Sequence, residues 1–289
     1  MTGPLIGRRT LLGGIAASAV ALVAPSPLAA APLAKIKELG VLRVAVYKNN
    51  RPWSWNDNGT VRGLDADLAS AIAKALEVKL DLAEFMAGDD VGTDLRNAVW
   101  RGGLLGFQPA DIMMHVPYDR EVMVENDQVA IVAPYYRESF GAACGAEQND
   151  CDVPVPQYRG RRMAAAIASA PDQYILGSFG GVLRSGLTHF NTGHDAVLAL
   201  GTGQADVAIA TRAEVEAAIH DMGNPAIKPR KRALEAMLSP GWDIGMAVKE
   251  NSRSLGDAVE NLIGAMSTDG RLKALFSAHG VEWRPAVLA

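Results

Sequence analysis

Apolar and polar positions alternate along short segments of the chain, and this pattern predicts its first elements. Residues 41–47 (VLRVAVY) alternate and are rich in β-branched side chains, which predicts a strand. Apolar residues then recur every fourth position from Leu64 to Leu76, which predicts one buried face of a helix. A second strand is predicted at 78–85. A strand, a helix and a strand in this order indicate a parallel sheet and an α/β fold.

The same alternation of elements continues to the end of the chain. Further strands are predicted at 111–114, 128–133, 162–168, 187–190, 205–210 and 242–249. Further helices are predicted at 33–39, from 90 or 93 to 101, from 169, at 195–201, from 211, at 254–266 and at 270–278. Between two α/β halves, residues 110–142 hold an apolar strand that ends at His115 and a later β-rich run that leads into Gly141 and Ala142. We expect this stretch to form one wall of a binding cleft and then a hinge.

The N-terminal segment has the pattern of an export signal. Arg8 and Arg9 precede an apolar run to Val23, and residues 25–31 (PSPLAAA) supply the small residues of a cleavage site. We read residues 1–30 as a twin-arginine signal peptide cleaved near 29–31, with a general secretory signal as the alternative. The mature protein is then periplasmic. Losing two arginines takes its formal net charge from −4 to −6.

Composition is that of a soluble globular protein. The chain has 289 residues, of which 49% are hydrophobic and 21% charged, so it is long enough for two compact units of roughly 100–150 residues. The negative net charge suggests no basic face, so we do not expect nucleic acid as a partner.

The two cysteines, Cys144 and Cys151, flank the loop GAEQND. A loop of this size brings the two Cα atoms within bridging range, and in an oxidising compartment a disulfide is the expected form. A metal site would need more ligands nearby, and a redox pair usually has tighter spacing.

A set of short motifs recurs in order along nearly all of the mature chain. They are 41–46 (VLRVAV), 52–53 (PW), 63–68 (GLDADL), 110–113 (ADIM), Arg120, 133–136 (APYY), 204–209 (QADVAI), 245–249 (GMAVK) and 269–272 (DGRL). In this order they resemble the family 3 extracellular solute-binding proteins of ABC importers. The resemblance implies a type II periplasmic-binding-protein fold with two α/β lobes joined by a two-segment hinge. Lobe 1 would comprise 31–138 and 241–289, and lobe 2 would comprise 139–240.

The resemblance also implies a function. The protein would be a monomer without a cofactor that captures a small, carboxylate-bearing ligand in the interlobe cleft and delivers it to the membrane permease of an ABC importer. It would not be an enzyme.

A narrower resemblance suggests an alternative function. Residues 111–117 (DIMMHVP), 134–137 (PYYR) and the pair Arg96-Asn97 look like the binding-protein-like accessory subunits associated with quinoprotein methanol dehydrogenases. Under this alternative the cleft receives a segment of a periplasmic quinoprotein dehydrogenase.

Arg120 and His115 are the leading ligand-binding candidates. In the family, an arginine after the third strand of lobe 1 often grips the ligand carboxylate, and Arg120 matches that position. The guanidinium fork suits a planar anion, although Arg120 could instead pair on the surface with Asp119 or Glu121. His115 stands where many members have Ser or Thr. It could donate to a ligand oxygen, bind a metal, or fill a partly buried strand end.

Two departures from the family argue against a standard α-amino acid ligand. Amino-acid binders usually keep an Asp in lobe 2 to hold the ligand ammonium, and Thr211 stands at that position. An early lobe 1 acid is also missing, because Tyr47 and Lys48 occupy that region. The remaining candidate wall residues are Tyr47, Asn50, Trp53, Ser169 and Thr211. Trp53 could equally be a core anchor, and Ser169 could simply cap a helix.

An enzyme is the third hypothesis, because some clamp-fold proteins are dehydratases that use a carboxylic acid in the cleft. Asp89, Asp90 and Asp94 form an acidic cluster that could, with His115, hold a hard metal. The competing interpretation is favourable charge at a helix N-terminus. We predict no metal and no catalytic residue.

Overall fold

The computed structural model describes residues 32–103, 106–148, 150–237 and 239–287. The predicted signal peptide, residues 1–30, and its cleavage near 29–31 lie outside the described residues. Among the described helices, none combines the length and the apolar character that crossing a membrane requires.

Twelve strands and nine α-helices make up the described part of the chain. The strands are β1 (Val41–Tyr47), β2 (Trp55–Asp57), β3 (Thr60–Arg62), β4 (Lys79–Phe85), β5 (Ile112–Pro117), β6 (Val129–Glu138), β7 (Phe140–Cys144), β8 (Met163–Ala166), β9 (Leu187–Phe190), β10 (Val207–Thr211), β11 (Lys228–Pro229) and β12 (Trp242–Lys249). The helices are α1 (Pro32–Leu39), α2 (Leu64–Ala75), α3 (Val91–Leu95), α4 (Arg120–Glu125), α5 (Ala170–Gly177), α6 (Gly193–Gly201), α7 (Arg212–Met222), α8 (Arg253–Thr268) and α9 (Arg271–Ala278).

The strands form two five-stranded sheets with the same plan. The first has the order β4-β1-β5-β12-β6, and the second has the order β11-β7-β10-β8-β9. In each sheet two of the four strand pairings are parallel and two are antiparallel, because a single strand, β12 or β7, runs opposite to the other four. A two-stranded sheet, β2-β3, stands apart from both. We call the first sheet with its helices lobe 1 and the second sheet with its helices lobe 2. The predicted domain boundaries stay predictions.

Both faces of each large sheet are covered, which explains the apolar strands. Strand β1 buries Leu42, Val44, Ala45 and Val46, because helices pack above and below it. Helices α2, α8 and α9 cover one face of the first sheet. Gly63 precedes α2 with φ +123°, and a Cβ there would lie 2.3 Å from the carbonyl oxygen of Trp53, so only glycine fits this turn.

The chain departs from the predicted elements in a few places. The predicted helix ending at 101 is α3 followed by a π-helical turn, Arg96–Trp100. The β-rich run predicted at 128–133 extends as β6 to Glu138. Strand β7, the β2-β3 hairpin and the short strand β11, which lies in the basic sequence 228–231 (KPRK), are not among the predicted strands.

The chain crosses from lobe 1 to lobe 2 between β6 and β7, and it crosses back before β12. Besides these two chain crossings, the C-terminal tail holds the lobes together. Arg284 donates to the carboxylate of Glu216 on α7 at 2.7 Å, and its carbonyl oxygen accepts from the backbone N–H of Arg137 on β6 at 3.0 Å. Arg51 of lobe 1 also pairs with Asp221 on α7 at 3.0 Å. Both of these ion pairs between the lobes therefore involve helix α7 of lobe 2.

Candidate functional site

Three neighbouring parallel strands of lobe 1 end at the same edge of their sheet. Strands β1, β4 and β5 end at Tyr47, Phe85 and Pro117. In open α/β sheets, ligands bind in the crevice beyond the carboxyl ends of the strands. A cavity of about 410 Å³ lies there, which we call the polar cavity. It is lined by Tyr47, Lys48, Asn49, Asn50, Ala87, Val91, His115, Pro117, Trp242 and Ile244.

The polar cavity carries a cation and, among its described lining residues, no carboxylate. The cation is Lys48, the first residue after β1, which is exposed. The nearby carboxylate of Asp94 accepts hydrogen bonds from the Tyr47 hydroxyl at 2.8 Å and from the Gly88 N–H at 2.7 Å. Burial raises the pKa of Asp94, although both hydrogen bonds oppose the rise. Lys48 is therefore the charged residue among the described residues that line the cavity, and the neighbouring carboxylate of Asp94 already has two hydrogen-bond donors.

His115 lines this cavity in a left-handed backbone conformation, with φ +63°. Its ring lies 4.6 Å from that of Trp53, and about 21% of its side chain remains exposed. The Nδ1 atom is buried without a hydrogen-bond partner among the described residues. Burial lowers the pKa of His115 to about 3, so the imidazole is neutral at physiological pH. A neutral ring can donate or accept a hydrogen bond at the cavity surface.

A buried carboxylate lies behind His115. Asp65 is fully buried near the start of α2, and the hydroxyl of Tyr135 donates to its Oδ1 at 2.7 Å. Its Oδ2 has no hydrogen-bond partner within the described chain and lies 3.7 Å from Nδ1 of His115. Burial raises the pKa of Asp65 to about 7, against the opposing effect of the Tyr135 hydroxyl. A buried carboxyl group with a raised pKa thus lies behind His115, on the far side of the imidazole from the polar cavity.

A second cavity of about 740 Å³ lies between the lobes, and we call it the apolar cavity. Its walls come from the end of β5 and α4 in lobe 1, from α5 in lobe 2, and from the chain crossings. It shares Pro117 and Trp242 with the polar cavity. The ring of Trp242 packs 4.9 Å from that of Phe140, which also lines the apolar cavity. The two cavities are therefore adjacent compartments of one cleft.

No protein-family model matches the chain, and no curated protein matches it. Solved structures do. An ancestral cationic amino acid solute-binding protein is 20% identical, with a TM-score of 0.66, and the match covers 86% of this chain and 99% of that one. An amino acid ABC transporter substrate-binding protein from Streptococcus pneumoniae, bound to L-arginine, is 20% identical with a TM-score of 0.62 over 86% and 97% of the two chains. The chain has the type II periplasmic-binding-protein fold.

A cysteine-binding protein from Campylobacter jejuni matches in the same way, with 20% identity and a TM-score of 0.57 over 86% of this chain and 94% of that one. Identities at this level establish the fold alone. The type II periplasmic-binding-protein fold confirms the predicted architecture of two α/β lobes.

The structure brings together three of the seven predicted ligand-binding residues. Tyr47, Asn50 and His115 all line the polar cavity. Trp53 lies behind them, 2% exposed, and its ring packs against His115 and Tyr136. Trp53 is therefore a core anchor that supports the cavity from behind.

The other three candidates lie outside the polar cavity. Arg120 is exposed at the first residue of α4, and Asp119 caps that helix. Ser169 caps α5 by accepting from the N–H of Asp172, and Thr211 caps α7 in a capping box with Glu214. Their predicted ligand contacts stay predictions.

Lys48 and Trp242 are two of the seven lining residues that the sequence analysis does not predict. Lys48 directly follows the predicted strand, and the sequence analysis mentions it only as a residue that replaces an acid of the amino-acid binders. Trp242 reaches the cleft because β12 returns to lobe 1 and pairs with β5 and β6. The signals that could have found them are the polar residue at a strand end and the aromatic residue that opens a strand after Pro240-Gly241.

In the acidic cluster of Asp89, Asp90 and Asp94, the carboxylates of Asp90 and Asp94 accept hydrogen bonds from nearby groups of the protein. Asp90 caps α3 by accepting from the N–H of Thr93 at 2.7 Å, and this bond lowers the pKa of Asp90. In the part of the chain that the structure covers, no group of three or more His, Cys, Asp or Glu residues is arranged to hold a metal ion.

Cys144 and Cys151 form the predicted disulfide, with their Cα atoms 5.7 Å apart. The side chain of Arg230 is hydrogen-bonded to the segment from Cys151 to Tyr158. It donates to the carbonyl oxygens of Cys151 at 2.7 Å and Val153 at 2.6 Å, and to the hydroxyl of Tyr158 at 3.0 Å.

Proposed function

We propose that the protein is an exported solute-binding protein that captures a small carboxylate-bearing ligand in the cleft between its lobes. The observation that carries this proposal is the polar cavity at the ends of β1, β4 and β5. The described residues that line it include Lys48 and His115, whose imidazole is neutral, but no carboxylate. The similar solved structures, whose titles describe amino-acid-binding proteins, support a binding role for this fold.

In this proposal the ligand carboxylate lies near Lys48, and His115, Tyr47 and Asn50 surround it. An ammonium–carboxylate contact is a charge-assisted hydrogen bond, and because Lys48 is exposed, closure of the lobes would be needed to exclude water from it. Arg120 would approach the ligand from the mouth of the cleft. Ser169 and Thr211 would approach from lobe 2 when the lobes close by a hinge motion.

The cleft offers little to the ammonium of an α-amino acid. Thr211 stands where amino-acid binders usually have an acid. The nearest acid to it, Glu214, is engaged, because its carboxylate accepts from the N–H and hydroxyl of Thr211 and from the N–H of Gly193. An unpaired ammonium in a cleft costs free energy, so we propose a ligand without one.

The proposed partner is the membrane permease of an ABC importer, and the proposed activity is binding rather than catalysis. The accessory role beside a quinoprotein dehydrogenase stays a sequence-based alternative. Recovery of a periplasmic quinoprotein with the tagged protein would favour that alternative over an importer.

The proposal is tested by titration calorimetry with a panel of monocarboxylates and the amides of the same acids. We expect each amide to bind at least tenfold more weakly than its acid, since a hydrogen bond to a charged group contributes about 1.5–3 kcal/mol. Lys48→Met should abolish this preference. Lys74→Met, on the exposed end of α2, is the matched control. Equal binding of acids and amides, or an unchanged preference in Lys48→Met, would contradict the proposal.

A further inference from the structure

The apolar cavity has no role in holding a carboxylate, yet it is the larger compartment of the cleft. Its volume of about 740 Å³ compares with about 410 Å³ for the polar cavity. A volume in this range suits a small-molecule site. The space is therefore large enough for part of a ligand whose polar end lies elsewhere.

The walls of the apolar cavity are mostly carbon. Side chains from both lobes and from the second chain crossing contribute, namely Pro117, Val122, Phe140, Tyr174, Met237 and Trp242. The hydroxyl of Tyr174 is already used, because it donates to the carbonyl oxygen of Glu235 at 2.6 Å. The Tyr174 side chain therefore presents its ring, and not a free hydroxyl, to a ligand.

One carboxylate, that of Asp119, also lines this cavity, but it has partners. Its Oδ1 accepts from the backbone N–H groups of Glu121 at 2.8 Å and Val122 at 3.3 Å, where it caps α4. Asp119 is also exposed, so water screens its charge. Asp119 therefore offers no favourable contact to a ligand carboxylate, which leaves the polar cavity as the place for that carboxylate.

The two compartments meet at Pro117 and Trp242, which line both. A single molecule with its carboxylate at Lys48 can therefore extend past the Trp242 ring into the apolar cavity. We propose that the ligand is an amphipathic monocarboxylate whose aliphatic or aromatic body, without an ammonium group, occupies the apolar cavity. This inference rests on the proposed capture of a carboxylate and adds the chemical class of the rest of the ligand.

The test is a homologous series of straight-chain carboxylates from propionate to octanoate, titrated calorimetrically. Each methylene that enters the apolar cavity should tighten binding about fourfold, because burial of a methylene contributes about 0.8 kcal/mol. L-Leucine and 4-methylpentanoate form a matched pair that differs by the α-amino group. We expect 4-methylpentanoate to bind at least tenfold more tightly.

A substitution in the apolar cavity tests whether the body of the ligand lies there. Gly177 lies at the end of α5 and lines the apolar cavity, and no heavy atom lies within 4 Å of its Cβ position. Its φ of −108° is compatible with any side chain. Gly177→Leu should partly fill the cavity, so affinity should stop rising along the series while propionate binds as before. Gly264→Leu on α8, an exposed glycine with equally open space, is the control and should leave the series unchanged.

The outcomes separate the two proposals. If propionate binds but longer carboxylates bind no more tightly, the amphipathic class is overturned and carboxylate capture stands. If affinity rises along the series equally in Gly177→Leu, the body lies outside the apolar cavity and the inference is overturned. If no carboxylate of the series binds, both proposals are overturned.

Discussion

Replacement of the buried Asp65 by asparagine should stabilise the protein, and the gain should depend on pH. Burial raises the pKa of Asp65 from an ordinary value of 3.8 to about 7 in the folded state. Ionisation of this carboxyl group therefore lowers the free energy of unfolding by about 4 kcal/mol. Asparagine has the same shape and no charge. Its Oδ1 can still accept from Tyr135, and its Nδ2 can donate towards the unpartnered Nδ1 of His115.

The direction of this pH dependence follows from the protonation of Asp65 in the folded and in the unfolded chain. Below about pH 4 the Asp65 carboxyl is protonated in both folded and unfolded chains, so the charge has no effect on stability. Between pH 4 and 7 the folded state keeps the proton that the unfolded state loses, and stability falls by about 1.4 kcal/mol per pH unit. Above pH 7 both states are ionised and the loss is complete. The advantage of Asp65→Asn should therefore widen by about 3 kcal/mol from pH 5 to pH 8.

The assay is urea unfolding at pH 5, 6, 7 and 8, with the free energy of unfolding compared between the two proteins at each pH. Because His115 and Tyr135 are present in both, their own titrations largely cancel from the difference. Asp257→Asn, on the exposed face of α8, makes the same chemical change without burial and should give no pH-dependent difference. A difference between Asp65→Asn and the wild type that stays constant across this pH range would refute the reasoning.

Three further substitutions have expected effects on the free energy of unfolding, each measurable by urea unfolding. Cys151→Ser should lower it by about 2.5 kcal/mol, the loop-entropy value for a closure of this length, and reduced wild type should match the variant. Arg230→Met should lower it by roughly 3–5 kcal/mol, because the side chain is fully buried and two carbonyl oxygens lose their donor; an exposed control, Arg232→Met, should lower it far less. Glu138→Gln should raise it more at pH 8 than at pH 5, since burial raises the pKa of Glu138 to about 8; equal effects at both pH values would contradict this expectation.

The regular elements with strong local patterns were predictable from the sequence. Strand β1 is rich in β-branched residues, and α2 repeats an apolar residue at each turn, so both appear at the expected positions. Strand β7 is different. Its small residues Gly141, Ala142 and Ala143 have little preference for a strand, and only pairing with β10 and β11 makes them one.

The candidate site was predictable only where it depends on local sequence. Tyr47 ends β1 and His115 lies in β5 directly after its apolar run, so their place near a sheet edge could be expected. The burial of Asp65 could not, because its partner Tyr135 is 70 residues away and a helix-dipole role explains an acid at that position equally well. The same holds for Trp242, which reaches the cleft only through the non-local pairing of β12.

The tail after α9 limits how the lobes can move relative to each other. Since Arg284 contacts β6 of lobe 1 and α7 of lobe 2, any rocking motion that keeps these contacts must pivot near that residue. Displacement then grows with distance from the pivot and is greatest at the open mouth. The distance between probes attached at the exposed Val124 on α4 and Leu176 on α5 should therefore change when ligand binds. Distances measured to probes placed along 282–287 should change little.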